Sequence, residues 1–392
     1  MDSEHIKALT DRYIMNTYAR FPVALDHGRG ATLWDADGKD YIDFTSGIGV
    51  CSLGYDDPTW VDAIACQAAK LGHVSNLFYT EAPALLAQRL CERTGMSRVF
   101  FASGGGEANE GMIKLARKYS EDRYGEGRAT IVTLKNSFHG RTIATLEATG
   151  QEAFHRWFLP YTGGFRYAEA NSVASLKEVS GDDVCAVMVE LVQGEGGVLP
   201  LDPAYVHELR ALCDERDWLL LVGRGADGRR AHGRAVRVPA LRRGARCRDL
   251  RQGHRGRPSD ERVPRERAVP RRPRTRHACH DVRRQPDGGR SGACGAGPPD
   301  RRVPGRGGRE GAPPARVHRG SGLRCLGATR GLGLMIGVDV APGLDRAAIV
   351  DALVGAGVLV LTAGDGLRLL PPLVITQAEM DEGLRRMAVA LG

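Results

Sequence analysis

The sequence predicts an α/β fold with a mostly parallel sheet, and three stretches carry that expectation. Val99 to Tyr119 begins as an apolar run (Val99, Phe100, Phe101) and passes through Ser103, Gly104, Gly105 and Gly106. It then becomes a helical pattern, with Ala108, Met112, Ile113, Leu115 and Ala116 close to one face. Val184 to Leu191 is a continuous apolar run that ends in acid at Glu190, as suits a strand buried on both faces. Trp218 to Val222 is a second such run, after a helical stretch from Tyr205 to Asp217. Strand, glycine turn and helix are also how an α/β protein holds a phosphate. Glycine lets the backbone come close, and free N–H groups at the helix start face the anion.

The other elements follow in order. Residues 1–30 read as a leading helix and loop. Ala31 to Phe44 reads as a hairpin, two apolar strands about an Asp-Gly turn. Asp57 to Leu71 and Glu81 to Thr94 read as helices, and Ala129 to Leu134 as a strand. The loop Lys135-Asn-Ser-Phe-His-Gly-Arg-Thr142 follows that strand. Near the C-terminus, Gly331 to Asp339 reads as a strand, Asp345 to Ala356 as a helix and Val358 to Leu361 as a strand.

The 392 residues suffice for one large or two modest domains. The first ten residues are too polar for a signal peptide, and no apolar run reaches the length of a membrane span. Nine cysteines lie scattered without a C-x-x-C pair, which favours reduced thiols in the cytoplasm over disulfides or a metal site. The net charge of +8 hides a division. Residues 223–325 hold 29 Arg against 9 Asp and Glu, so the rest of the chain carries −12. That block has no Phe, Trp, Tyr, Ile or Lys, and by composition it cannot bury enough to fold alone.

Several motifs resemble the class III aminotransferases, which use pyridoxal phosphate. The first is Ser103-Gly-Gly-Gly-Glu-Ala-Asn-Glu110, in which the Glu-Ala-Asn-Glu half matches the family's phosphate loop and the turn has drifted toward glycine. Others are Leu33-Trp-Asp-Ala-Asp-Gly in the hairpin, the Phe138 loop, and Val192-Gln-Gly-Glu-Gly-Gly197. The resemblance implies cofactor binding by Gly105, Gly106 and Phe138, the last lying against one face of the pyridine ring. It implies that Arg141 meets the substrate carboxylate, and that Glu190, Glu195 and Arg368 belong to the substrate site. In ornithine-type members the second of these acids pairs with an arginine near the C-terminus and swings to admit different substrates.

The resemblance covers about 1–222 and 328–392. It implies an aspartate-aminotransferase-like α/β fold, with a large, mostly parallel sheet domain and a small α+β domain. The expected divisions are 1–50 joining the small domain, 51–222 as the large cofactor domain, 223–327 as the anomalous Arg-rich block, and 328–392 as the C-terminal small domain. Tyr18-Ala-Arg-Phe-Pro-Val-Ala-Leu25 and Leu367-Arg-Leu-Leu-Pro-Pro-Leu373 point to the subgroup whose donor is N-acetylornithine. Its members pass the amino group to 2-oxoglutarate in arginine biosynthesis. The ornithine, succinylornithine and 4-aminobutyrate subgroups share most of these motifs. A homodimer is implied too, although much of its interface would come from the altered block.

The block also removes chemistry. In the family the strand at 218–222 runs into an aspartate that keeps the cofactor's ring nitrogen protonated; here it runs into Gly223-Arg-Gly-Ala226. The family lysine, expected near Gln252, is absent, and no lysine follows Lys177. Neither glutamine nor arginine is a nucleophilic amine at neutral pH. A basic nucleic-acid-binding insert is one reading, but Arg without Lys or interleaved aromatics matches such modules poorly. A reading-frame slip in a GC-rich gene fits better. Dropping the first base of the Gly223 codon lets 223–232 read Asp-Glu-Val-Gln-Thr-Gly-Val-Gly-Arg. The same shift gives Phe-Ala-Lys-Gly within 248–267, its lysine codon falling across Gln252 and Gly253, and Gly-Thr-His-Ala-Thr-Thr-Phe-Gly-Gly-Asn from 276–286. A second slip near Cys325 restores the frame. The chain as written is then expected to be a catalytically dead or erroneous copy.

Overall fold

The computed structural model describes residues 1–223 and 325–392. Expectations for 224–324, the Gln252 region included, lie outside the described residues. The chain opens with helix α1 (Ser3–Tyr13), capped by the Asp2 carboxylate on His5 N–H at 2.9 Å. Strands β1 (Leu25–Arg29), β2 (Thr32–Asp35) and β3 (Asp40–Asp43) form an antiparallel meander, the last two joined at the expected Asp-Gly turn. A short turn α2 (Ser46–Gly49) leads to α3 (Pro58–Lys70) and α4 (Glu81–Thr94). Asp57 caps α3 ahead of a proline, and Gly95 ends α4 in the left-handed conformation.

Next come α5 (Gly105–Tyr124), β4 (Thr130–Leu134), α6 (Ile143–Ala148), β5 (Phe165–Ala168) and α7 (Val173–Val179). After them run β6 (Val184–Glu190), a small pair β7 (Val192–Gln193) and β8 (Leu199–Pro200), α8 (Pro203–Glu215) and β9 (Leu219–Gly223). Strands β5, β4, β6 and β9 make a parallel sheet in that order. Every residue of β6 is buried, because helices cover both faces. Val187 and Val189 pack with Leu176, Leu209 and Trp218 on one face. Ala186 and Met188 pack with Ile113, Ala116 and Ala144 on the other.

The C-terminal part has β10 (Leu326–Leu332), β11 (Met335–Val340), α9 (Arg346–Gly355), β12 (Val358–Leu359), β13 (Leu361–Ala363), β14 (Gly366–Leu369) and α10 (Gln377–Leu391). Strand β12 pairs in parallel with β3, so the two ends of the described chain share one sheet. Phe44, Leu353, Val358, Leu367 and Met387 sit in their common core. Among the described residues no helix is long and apolar enough to cross a membrane.

Two readings of the sequence change. Val99–Phe101 forms no strand, and Phe100 and Phe101 are 72% and 44% exposed. A strand needs a backbone partner, and none stands beside these residues among those described. The Phe100 ring lies back on α5 instead, where a Cβ at Gly111 would come within 2.9 Å of it. The stretch from Gly331 to Asp339 is the bend of a hairpin, not one strand. Gly333 turns it at φ +60, and β10 pairs antiparallel with β11.

One carboxylate ties the two ends together. Glu379 closes the capping box of α10, accepting from the Thr376 N–H and hydroxyl, each at 2.8 Å. Its other oxygen accepts from Ala31 N–H at 2.9 Å. These donors hold its pKa below the usual carboxylate value, against the opposing effect of burial. The stability it adds is therefore present above the unfolded value and is lost as pH falls through the folded one. Glu379→Gln should cost about 1–2 kcal/mol at pH 7 and should flatten the loss of stability on going to pH 4. Urea unfolding at the two pH values checks this, and equal midpoints for parent and variant at pH 7 would refute it.

Candidate active site

The glycine turn begins α5. Gly104 is its extended N-cap, and a Cβ built at Gly104 or Gly105 meets nothing within 4 Å, so both backbones face open space. Gly106 turns inward: its Cα lies 2.9 Å from where a Cβ on Gly140 would stand. Gly140 itself has φ +139. A side chain at 140 would force apart the two loops that expose the helix start.

The residues after the turn hold those loops together. Glu107 folds back to accept from Ser103 N–H at 2.8 Å. Asn109 donates its amide to the His139 carbonyl at 2.6 Å, and Glu110 accepts from the Thr142 hydroxyl. The Glu-Ala-Asn-Glu motif thus acts as a clamp between α5 and the 138–142 loop. The sequence displays Asn109 and Glu110 but not this role, which depends on residues about 30 positions away.

Glu190 ends β6 and accepts from Phe138 N–H at 2.9 Å. The Phe138 ring meets Phe154 edge-on at 5.9 Å between centroids. Above them lies Arg141, its guanidinium 5.1 Å from the Phe154 ring and 5.9 Å from those of Phe138 and Tyr18. Arg141 is exposed, and among the described residues no carboxylate pairs with it. Gly105, Gly106, Phe138, Arg141 and Glu190 are therefore brought to one loop cluster, at the C-terminal edge of the parallel sheet.

Glu195 and Arg368 stand on the 194–198 loop and on β14. They pair at 3.2 Å across 173 residues, with Arg368 only 3% exposed. Gly364 N–H donates to the Glu195 carbonyl at 3.0 Å, and Arg330 donates to the Gly197 carbonyl at 2.6 Å. Gly196 lets this loop press on Asn136, whose carbonyl would lie 2.4 Å from a Cβ there. The described residues also line an open cleft of about 330 Å³ beside Asn136, Glu169, Gln193 and Leu199, but none of the expected site residues lines it.

Pyridoxal phosphate can be tested against these groups. Its phosphate suits the open Gly104–Gly105 helix start, and its ring suits the flat face of Phe138. Its aldehyde does not fit. No lysine follows Lys177, and Lys135, the closest lysine in sequence to Phe138, is exposed and ion-paired with Glu169. The strand β9, which in the family leads into an aspartate, ends here at Gly223. The residues present suit the anion and the ring, but no lysine after Lys177 is there to supply the amine.

The family model Aminotransferase class-III matches residues 13–224 and 322–391. The acetylornithine aminotransferase of Haemophilus ducreyi is 54% identical over 223 residues, 57% of each chain. The protein of that name from Caldanaerobacter subterraneus is 38% identical over 95% of this chain and 96% of its own. Ornithine aminotransferase from Toxoplasma gondii superposes with a TM-score of 0.76 at 22% identity, covering 99% of this chain and 94% of that one. N-acetylornithine aminotransferase from Stenotrophomonas maltophilia does so at 0.65 and 26%, covering 98% and 97%. The fold is the aspartate-aminotransferase-like α/β architecture, and pyridoxal phosphate is the cofactor that goes with it. The chain belongs to the class-III aminotransferase family.

Proposed function

We propose that this chain derives from an enzyme that moves an amino group between N-acetylornithine, or a related ω-amino donor, and 2-oxoglutarate, and that as written it does not turn over. The observation that carries the first half is the Glu195–Arg368 pair. A buried guanidinium neutralised by a partly exposed carboxylate suits two substrates of different charge. Paired, the two present no net charge to a donor whose transferred ω-amine sits on a carbon that bears no carboxylate. If Glu195 turns away, Arg368 offers a fork for the second carboxylate of 2-oxoglutarate. Arg141, free of ion pairs among the described residues, suits the carboxylate common to both substrates. The names of the relatives from Haemophilus and Caldanaerobacter point to the same donor.

The missing amine carries the second half. A frame slip between Val222 and Ala328 explains why chemistry is lost there while the motifs on either side persist. On this reading 1–50 and 328–392 form the small domain and 51–222 the cofactor domain, in the cytoplasm. Helices α3 and α4 bury no residue and leave Trp60, Ile64, Leu85 and Leu86 exposed. Such apolar faces support a homodimer for the frame-restored chain.

Resequencing the gene across codons 222 to 328 tests the slip directly. The protein test uses both chains, each incubated with pyridoxal phosphate, freed of excess and reduced with borohydride. The chain as written should yield no pyridoxyl-lysine peptide and no glutamate from N-acetylornithine and 2-oxoglutarate, and the frame-restored chain should yield both. A modified Lys135 in the chain as written, together with glutamate formation, would sink the proposal. In the frame-restored chain, Arg368→Ala should raise KM for 2-oxoglutarate about 30-fold, the loss of one charged hydrogen-bonded pair, with a smaller change for the donor. Steady-state kinetics with each substrate varied measures this, and equal changes for the two would show that Arg368 does not read the second carboxylate.

A further inference from the structure

The two arginines of the site are held in opposite ways. Arg368 is buried and paired with the Glu195 carboxylate at 3.2 Å. Arg141 is exposed, and among the described residues no carboxylate pairs with it. Its guanidinium faces three aromatic rings instead, Phe154 the nearest at 5.1 Å, with Phe138 and Tyr18 each at 5.9 Å. An aromatic face attracts a cation through its quadrupole and leaves the charge uncancelled. A carboxylate in the same place would occupy the N–H fork and compete with an incoming anion.

Of the three rings, Phe154 has no other task at the site, and its placement is closely determined. Gly150 bridges to Lys135 at the end of β4, where a Cβ would come within 2.0 Å of the Leu134 carbonyl, so only glycine lets the segment approach. Gly150 N–H then donates to the Ser137 hydroxyl, and the Gln151 amide to the Ser137 carbonyl, each at 3.0 Å. These bonds fasten 150–151 to the loop that carries Phe138 and Arg141. A single helical turn, Glu152–Phe154, follows and sets the Phe154 ring edge-on to Phe138. The Tyr161 hydroxyl closes this segment, donating to the Trp157 carbonyl at 2.7 Å, with the Phe154 carbonyl 3.3 Å from the same oxygen.

We propose that Phe154 is a positioning residue, whose ring face aims the Arg141 guanidinium while leaving its N–H groups open to a carboxylate. The placement of Arg141 needs no substrate. That the open fork then reads the carboxylate of both substrates rests on the function proposed above. A leucine at 154 would fill much of the same space but offers no quadrupole, whereas a tyrosine keeps the face.

The first test uses the chain as written, with neither substrate nor cofactor. Arginine is labelled with ¹⁵N, and the Arg141 Nε–Hε signal is identified by its loss in Arg141→Lys. A proton above a ring face is shielded, so this signal should lie upfield of those of solvated arginines. Phe154→Leu should return it toward them, and Phe154→Tyr should not. The second test uses the frame-restored chain. There Phe154→Leu should raise KM for N-acetylornithine and for 2-oxoglutarate together, about five-fold each, with kcat within about two-fold of the parent. Phe154→Tyr should restore both values. An Arg141 signal that Phe154→Leu leaves in place would overturn the proposal whatever the kinetics show. So would a fall in kcat at unchanged KM, or a change in KM for one substrate only. If the leucine variant does not fold, Phe154→Met replaces it in both tests, and failure of both variants to fold would show a packing role and overturn the proposal too. A frame-restored chain without activity toward N-acetylornithine would count against the proposed substrate, and the Arg141 signal would then decide the placement on its own.

Discussion

Strand β6 is the constraint on which the rest depends. It is buried along its whole length and bonded on both sides, by β4 and by β9. Because all three strands run in parallel, their C-terminal ends come out on one edge. That edge receives the Phe138 loop from β4, Glu190 from β6 itself and Gly223 from β9. Register carries the chemistry from there. Side chains alternate between faces, so a one-residue slip of β9 would turn position 223 to the other face of the sheet. Glu190 then converts strand geometry into loop geometry, since its carboxylate accepts the Phe138 N–H.

Much of this was legible in residue order, where one physical signal dominates. The continuous apolar run at 184–190 suited a strand buried on both faces, and the glycine turn before Ala108 was followed by a helical spacing of apolar residues. The signal fails where partners decide. Val99–Phe101 has the composition of a strand but no strand beside it among the described residues. Gly331 to Asp339 reads as apolar and extended, yet Gly333 folds it in two. Helix α10 was not read at all, although Thr376 and Glu379 spell its capping box.

The site divides along the same line. Its glycines and its Phe138 loop were legible by resemblance, since their residue types are the chemistry. Asn109 and Glu110 were visible as letters but not as clamps, because their partners lie in another loop.

Fold and chemistry rest on different kinds of residue. The fold rests on many apolar contacts, each individually small: among the described residues the clusters at Val187 and Met188 lie wholly before residue 223, and the one at Phe44 joins residues before it to residues after 325. The chemistry rests on single groups with no substitutes: one amine to hold an aldehyde, one carboxylate to hold a ring nitrogen. Changing about a hundred residues in the middle can leave the first intact and remove the second. A TM-score of 0.76 to an aminotransferase accordingly coexists with a sequence that has no lysine after residue 177. Likeness of fold measures the apolar contacts, and only the named side chains measure the reaction.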